Sequence, residues 1–176
     1  MDQVPDVDAV VVPCGGGGLL AGIGLAVKTL KPECQVIAVE PANCASFTEA
    51  LRCGAPTPAP TQMTLADGLA VPQVGDRAFA VAKSVTDSVV TVSEKQIAIA
   101  ILRCIEDEKL TVEGGGAAGL AALLPGGPLH SQLAGKKVVV PLCGGNIDTP
   151  QLGRVIERGL AADGRLVRCV RANPNA

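Results

Sequence analysis

Residues 15–18 are four consecutive glycines, followed by Leu19-Leu20-Ala21-Gly22. Four residues without a Cβ let successive backbone N–H groups turn to one side. A helix beginning near Leu19 would add its positive end to them. That is the chemistry of a phosphate cup, with Gly15, Gly16, Gly17, Gly18 and Leu19 as its donors. No Gly-Lys-Ser/Thr comes after it, so this is not a Walker loop, and the G-x-G-x-x-G register is not met either. The alternative, a flexible turn, is disfavoured because four glycines lose much conformational entropy on ordering.

A second cluster, Gly114-Gly115-Gly116-Ala117-Ala118-Gly119, does have the G-x-G-x-x-G spacing. No Asp or Glu lies between Glu113 and Asp148 to hold a ribose, so a dinucleotide is not expected there. These glycines instead allow close packing of the helix after them, or a ligand beside Glu113. Glu113 is either a partly buried carboxylate facing a titratable ligand or an exposed loop acid. Glu40, at the end of an apolar run in Val39-Glu40-Pro41, is either a metal or ligand contact or the cap of the next loop. Cys14 and Cys143 each stand directly before a glycine cluster.

Other chemistries are excluded by what the chain lacks. The only histidine, His130, sits in Pro125-Gly126-Gly127-Pro128-Leu129-His130, an exposed loop, so no Ser-His or Cys-His pair is expected. Seven cysteines are an odd number, and none stands in a C-x-x-C spacing. A disulfide framework and a structural zinc site are therefore not expected, and the cysteines read as small buried hydrophobes in a reducing cytosol. Lys plus Arg is 15 against Asp plus Glu 17, so no basic field exists for nucleic acid. Two Phe with no Tyr or Trp exclude aromatic stacking platforms. The first residues lack the basic and apolar regions of a signal peptide, and the apolar run 117–124 is too short to span a bilayer. No membrane partner is expected, and the reading is cytoplasmic.

Hydrophobic patterning supplies the positioning elements. The runs 9–12, 35–39 and 137–141 read as buried strands, and 88–92 as a fourth. Helices are predicted over 19–31, 45–52, 76–84, 94–107 and 117–124. Ser93 and Gln96 form a capping box ahead of isoleucines spaced every four residues at 97, 101 and 105. Thr149 caps a last helix, with Pro150 at its first position, running to Gly159. The segment 54–64 reads as loop, and 166–170 as a short strand. Strands alternating with helices give an α/β fold, a parallel sheet with helices on both faces. Ligands of such sheets lie off the carboxyl ends of the strands, which would place both Cys-Gly-Gly turns on the functional edge.

The stretch from Val10 to Gly22, Val39-Glu40-Pro41, Leu65-Ala66-Asp67-Gly68, Thr111-Val112-Glu113-Gly114 and Leu142-Cys143-Gly144-Gly145-Asn146 occur in one order and spacing. Together they resemble the pyridoxal-phosphate-dependent threonine and serine dehydratases, of fold type II, with serine racemase a close cousin. The resemblance implies that Gly15 to Leu19 hold the phosphate of pyridoxal 5'-phosphate. It implies that Cys143 stands beside the pyridine nitrogen and that Glu113 lies near the same ring. It also implies a divalent cation site at Glu40 and the carbonyl of Cys44, although Ser46 stands where the racemase carries a carboxylate. The family's cofactor lysine lies in a Ser-x-Lys segment that none of the lysines here occupies. Residues 1–170 thus resemble the C-terminal portion of a catalytic domain, with 171–176 a polar tail. The implied activity is a lyase converting L-threonine or L-serine to a 2-oxo acid and ammonia in a full-length homo-oligomer. This chain alone would be inactive. The alternatives are a racemase, or a non-catalytic phosphate-binding isoform.

Overall fold

The computed structural model describes residues 2–167. Four strands, β1 (Ala9–Pro13), β2 (Gln35–Pro41), β3 (Ser88–Val92) and β4 (Val138–Val139), form one sheet in the order β3-β2-β1-β4. All three pairings are parallel. Side chains alternate across the pleat, so each central strand feeds two cores. Ala9, Val11, Ile37 and Val39 enter one, and Val10, Val12, Val36 and Ala38 the other.

Helices cover both faces, as the alternation predicts. On one side lie α1 (Gly18–Leu30), α2 (Ser46–Cys53) and α3 (Asp76–Val85), contributing Leu20, Val27, Phe47, Ala50, Phe79 and Ala82. The only two phenylalanines meet there edge to face, with centroids 6.0 Å apart. On the other side lie α4 (Glu94–Arg103), α5 (Gly114–Leu123) and α6 (Thr149–Ala162). The capping box is present: the Ser93 hydroxyl accepts from the Gln96 N–H, and the Gln96 carbonyl oxygen accepts from the Ser93 N–H. Among the described residues no helix is long and apolar enough to cross a membrane.

Several elements differ from the sequence reading. The helix predicted over 94–107 ends as an α-helix at Arg103 and widens into a π-turn, Cys104–Glu108, closed by Lys109 in the left-handed region. Apolar spacing continues through Ile105 and so conceals the change. α5 begins at Gly114, not Ala117, because its glycines are helical. A Cβ on Gly116 would stand 2.0 Å from the Cys143 carbonyl oxygen, so packing rather than helix propensity selects glycine. β4 is a two-residue, half-exposed edge strand rather than a buried run over 137–141, since its only partner in the sheet is β1. The last helix starts after Asp148 without a side-chain cap from Thr149 and runs on to Ala162. Leu166 and Val167 are not in a strand. The remainder of the strand expected over 166–170, with Cys169 and the tail, lies outside the described residues.

A ring of four charges ties the π-turn to the end of α6. Arg103 binds Asp163 through both carboxylate oxygens, at 2.9 and 2.8 Å, and Glu106 at 2.9 Å. Arg165 completes the ring, with Glu106 at 2.9 Å and Asp163 at 2.7 Å. Hydrogen bonds from Arg103 to Asp163, and from Arg165 to Glu106, hold both carboxyls below their ordinary range. The folded chain therefore favours their charged forms. The resulting stability is present above the unfolded carboxylate range and is lost as pH falls through the lower folded values. We expect Asp163→Asn to lower the urea midpoint at about pH 7, with the deficit against wild type shrinking as pH falls below the unfolded carboxylate range.

Candidate active site

Because β4 runs parallel to β1, the turns after each strand leave the same edge of the sheet. Gly17 is the N-cap of α1 with φ 86°, a conformation that favours glycine. No side chain caps this helix, and the first N–H groups of a helix have no intrahelical partner. The opening turn of α1 thus presents donors and a positive dipole end at the sheet edge.

Beside it is a recess of about 150 Å³ lined by Pro13, Leu19, Gly68, Leu69, Glu113, Gly115, Cys143 and Gly144. Glu113 is partly buried, which is the first of its two sequence readings, and is not an exposed loop acid. It is the N-cap of α5, and its N–H donates to the Gly144 carbonyl at 3.0 Å. Its Oε2 accepts from the Asn146 N–H at 3.2 Å, so the carboxylate fastens the 143–146 turn to α5. Gly144 has φ 88°, and a Cβ there would fall 2.4 Å from Glu113 Oε1. The Cys143 thiol is exposed at the rim. Cys14 is buried, and desolvation pushes its thiol far above the usual range, which leaves it neutral and unreactive. His130 is exposed and directs Nδ1 to the Leu123 carbonyl, away from the recess.

Of the residues named from sequence, Leu19, Glu113 and Cys143 come together at the recess, whose lining does not include Gly15, Gly16, Gly17 or Gly18; Gly15 packs against Leu69. Gly68 and Leu69 carry no chemical role in the sequence pattern. Their only signal is the Leu-Ala-Asp-Gly motif in an otherwise aperiodic stretch.

Comparison with known proteins gives this arrangement a family. A profile of pyridoxal-phosphate dependent enzymes matches residues 1–144. The chain belongs to the pyridoxal-phosphate-dependent enzyme family. It is 43% identical over 167 residues to an L-threonine ammonia-lyase of Thermotoga maritima, covering 95% of this chain and 41% of that protein. The processed form of threonine deaminase isoform 2 from Solanum lycopersicum superposes with a TM-score of 0.83 at 32% identity, over 89% of this chain and 46% of that one. Serine racemase from Dictyostelium discoideum superposes with a TM-score of 0.76 at 35% identity, over 84% and 47% respectively. The chain spans about half the length of the relatives it matches.

The structure lends no support to the cation expected from resemblance to serine racemase. Glu40 is fully buried, and its Oε1 accepts from the Phe47 N–H at 2.6 Å. Its Oε2 accepts from the Thr48 N–H at 2.9 Å and the Thr48 hydroxyl at 2.6 Å. The carboxylate therefore caps α2, which is the alternative reading of that residue. Burial pushes its pKa up despite those three donors. The Cys44 thiol packs toward the Val71 carbonyl and Thr61, while the Ser46 hydroxyl is buried without a hydrogen-bond partner. Among the described residues no three His, Cys, Asp or Glu side chains gather to hold a metal ion. Glu40 thus serves as a cap here, and these contacts lend no support to the cation expected at Glu40 and the Cys44 carbonyl. Glu40→Ala should lower unfolding free energy by about 3 kcal/mol, since it strands buried donors. Millimolar magnesium, manganese or calcium should leave the wild-type Tm unchanged in the same thermal scans.

Proposed function

We propose that this chain forms the cofactor-holding half of a threonine/serine ammonia-lyase that converts L-threonine or L-serine to a 2-oxo acid and ammonia. The observation that carries the reading is the shared edge. An uncapped helix start at the last of four glycines and a second glycine turn tied to Glu113 flank one recess. The relatives named threonine ammonia-lyase and threonine deaminase support the substrate class.

The glycine cradle fits a phosphate, since its backbone turns through Gly17 where a side chain would be strained and crowded against Ala78. Bound pyridoxal 5'-phosphate supplies the electron sink that lets a hydroxy amino acid lose its α-proton and β-hydroxyl. Backbone N–H groups of Gly15, Gly16, Gly17, Gly18 and Leu19 hold the phosphate dianion. Cys143 offers a neutral partner to the ring nitrogen, and Glu113 keeps the Cys143 turn in place. Among the described residues no lysine lines the recess. We therefore assign the lysine that carries the cofactor to the part of the catalytic domain that this chain does not span. A cytoplasmic setting accords with six described cysteines that are all free thiols. Apolar side chains left open, such as Leu25 and Leu30, accord with oligomer formation.

The test is direct. Pyridoxal 5'-phosphate should raise the Tm of the purified chain, and Gly17→Val should weaken its binding about tenfold. Borohydride reduction should leave no stoichiometric, site-specific lysine adduct, and dehydratase activity should be absent. An adduct together with activity would overturn the half-site reading. Formation of D-serine by a protein that also carries the cofactor lysine would favour a racemase instead.

A further inference from the structure

We propose that Glu94, which does not touch the recess, is a positioning residue for it. This rests on reading the recess as a pyridoxal phosphate site. Glu94 is the first residue of α4, whose start is fixed by the Ser93–Gln96 box and whose next turn buries Ile97 and Ile101. Its Oε1 accepts from the Thr64 hydroxyl at 2.6 Å, and its Oε2 from the Leu65 N–H at 2.7 Å. The same Thr64 oxygen accepts from the Ala66 N–H at 3.1 Å. One carboxylate and one hydroxyl thus hold three consecutive residues, where the irregular segment 54–64 ends.

Residues 65–69 then lead to one wall of the recess, formed by Gly68 and Leu69. The Leu65 carbonyl oxygen lies so near α5 that a Cβ on Gly114 would be 2.0 Å from it, and Ala66 is fully buried. The Leu69 N–H donates to the Ala66 carbonyl at 2.8 Å, closing the short turn Asp67–Leu69. Gly68 and Leu69 line the recess itself. The Leu69 Cα stands 3.0 Å from where a Gly15 Cβ would lie, and its side chain rests over Gly115. The segment is therefore a wedge between the first and second glycine clusters. Asn43 steadies its upstream end by donating to the Met63 carbonyl at 2.6 Å, and Glu94 supplies the paired acceptors at its root.

The carboxylate accepts from both the hydroxyl and the N–H; glutamine would keep its oxygen on the Leu65 N–H and turn its NH2 to the Thr64 oxygen, which can accept it, so only alanine removes the tie outright. Glu94 instead borders a separate cleft of about 490 Å³ with Thr64, Leu65, Arg154 and Arg158, so it acts on the recess only through the wedge.

Hydrogen exchange of the ligand-free chain and calorimetric titration with pyridoxal 5'-phosphate test this. Glu94→Ala should weaken cofactor binding about tenfold, and Glu94→Gln less. Glu94→Ala should also speed exchange of amides 65–69 while leaving β1 and β2 protected. Thr64→Val, a milder change that keeps the fold, should shift both readouts in the same direction but less. Asp163→Asn destabilises the chain from the far end of α6 and should leave cofactor affinity unchanged, which separates positioning from general loss of stability. Wild-type affinity in Glu94→Ala, or unchanged exchange at 65–69 in that variant, would overturn this role alone. A wild-type chain without affinity would overturn the functional reading and this role together.

Discussion

The ladder between β1 and β4 is short, pairing Ala9 with Val138 and Val10 with Val139, yet the geometry of the site depends on its direction. A parallel ladder sends both strands out of the same sheet edge, so the turns at 14–18 and 143–146 open side by side. An antiparallel β4 would have put the second turn at the opposite end, with α5 and Glu113 facing nothing. Parallel strands need covered faces. The helices that cover them here also provide the site: α1 begins at the first turn, and α5 approaches the second within van der Waals contact. Glycine and alanine in α5 permit that approach, and larger side chains would force the helix off the 143–146 turn.

Two glutamates show how local donors decide the fate of one side-chain type. Glu40 and Glu113 both stand next to a helix start and beside a glycine- or proline-containing turn. Glu40 meets three donors from a single helix N-terminus in a fully buried setting, and its capacity is used internally. Glu113 meets one backbone N–H across the gap from α5 to the 143–146 turn, leaving part of the carboxylate facing the recess. Nothing in their flanking sequence distinguishes these outcomes, since the deciding donors at Phe47, Thr48 and Asn146 belong to segments placed by tertiary packing.

Features read correctly from sequence were those in which local and global preferences agree. The β-branched runs of β1, β2 and β3, the Ser93–Gln96 box and the stop at Gly54 each carry their own physical signal. Three features carry none. The glycines opening α5 oppose helix formation and are there for the Cys143 and Leu65 carbonyls. The π-turn at Cys104 keeps the apolar spacing of α4, and only the hydrogen-bond register changes. The wedge at 65–69 has no periodicity, because its conformation is imposed from Glu94 and the glycine clusters. The glycine turn that opens α1 was legible through glycine content, whereas the walls of the recess depend on contacts between segments distant in sequence.

The electrostatics of the site come from the same arrangement. A phosphate dianion beside α1 would be met by backbone N–H groups and a helix dipole, since among the described residues no Lys or Arg lines the recess. That leaves the Glu113 carboxylate as a like charge on the same recess, which would oppose an anionic ligand. The conflict is eased because Glu113 occupies the N-cap of α5, where the dipole favours negative charge, and spends one oxygen on the Asn146 N–H. Its repulsion is thus balanced by fixed dipoles that need no counter-ion. The site can hold a doubly charged group in a chain whose net charge is already −2, provided that both helix starts stay where the glycines let them approach.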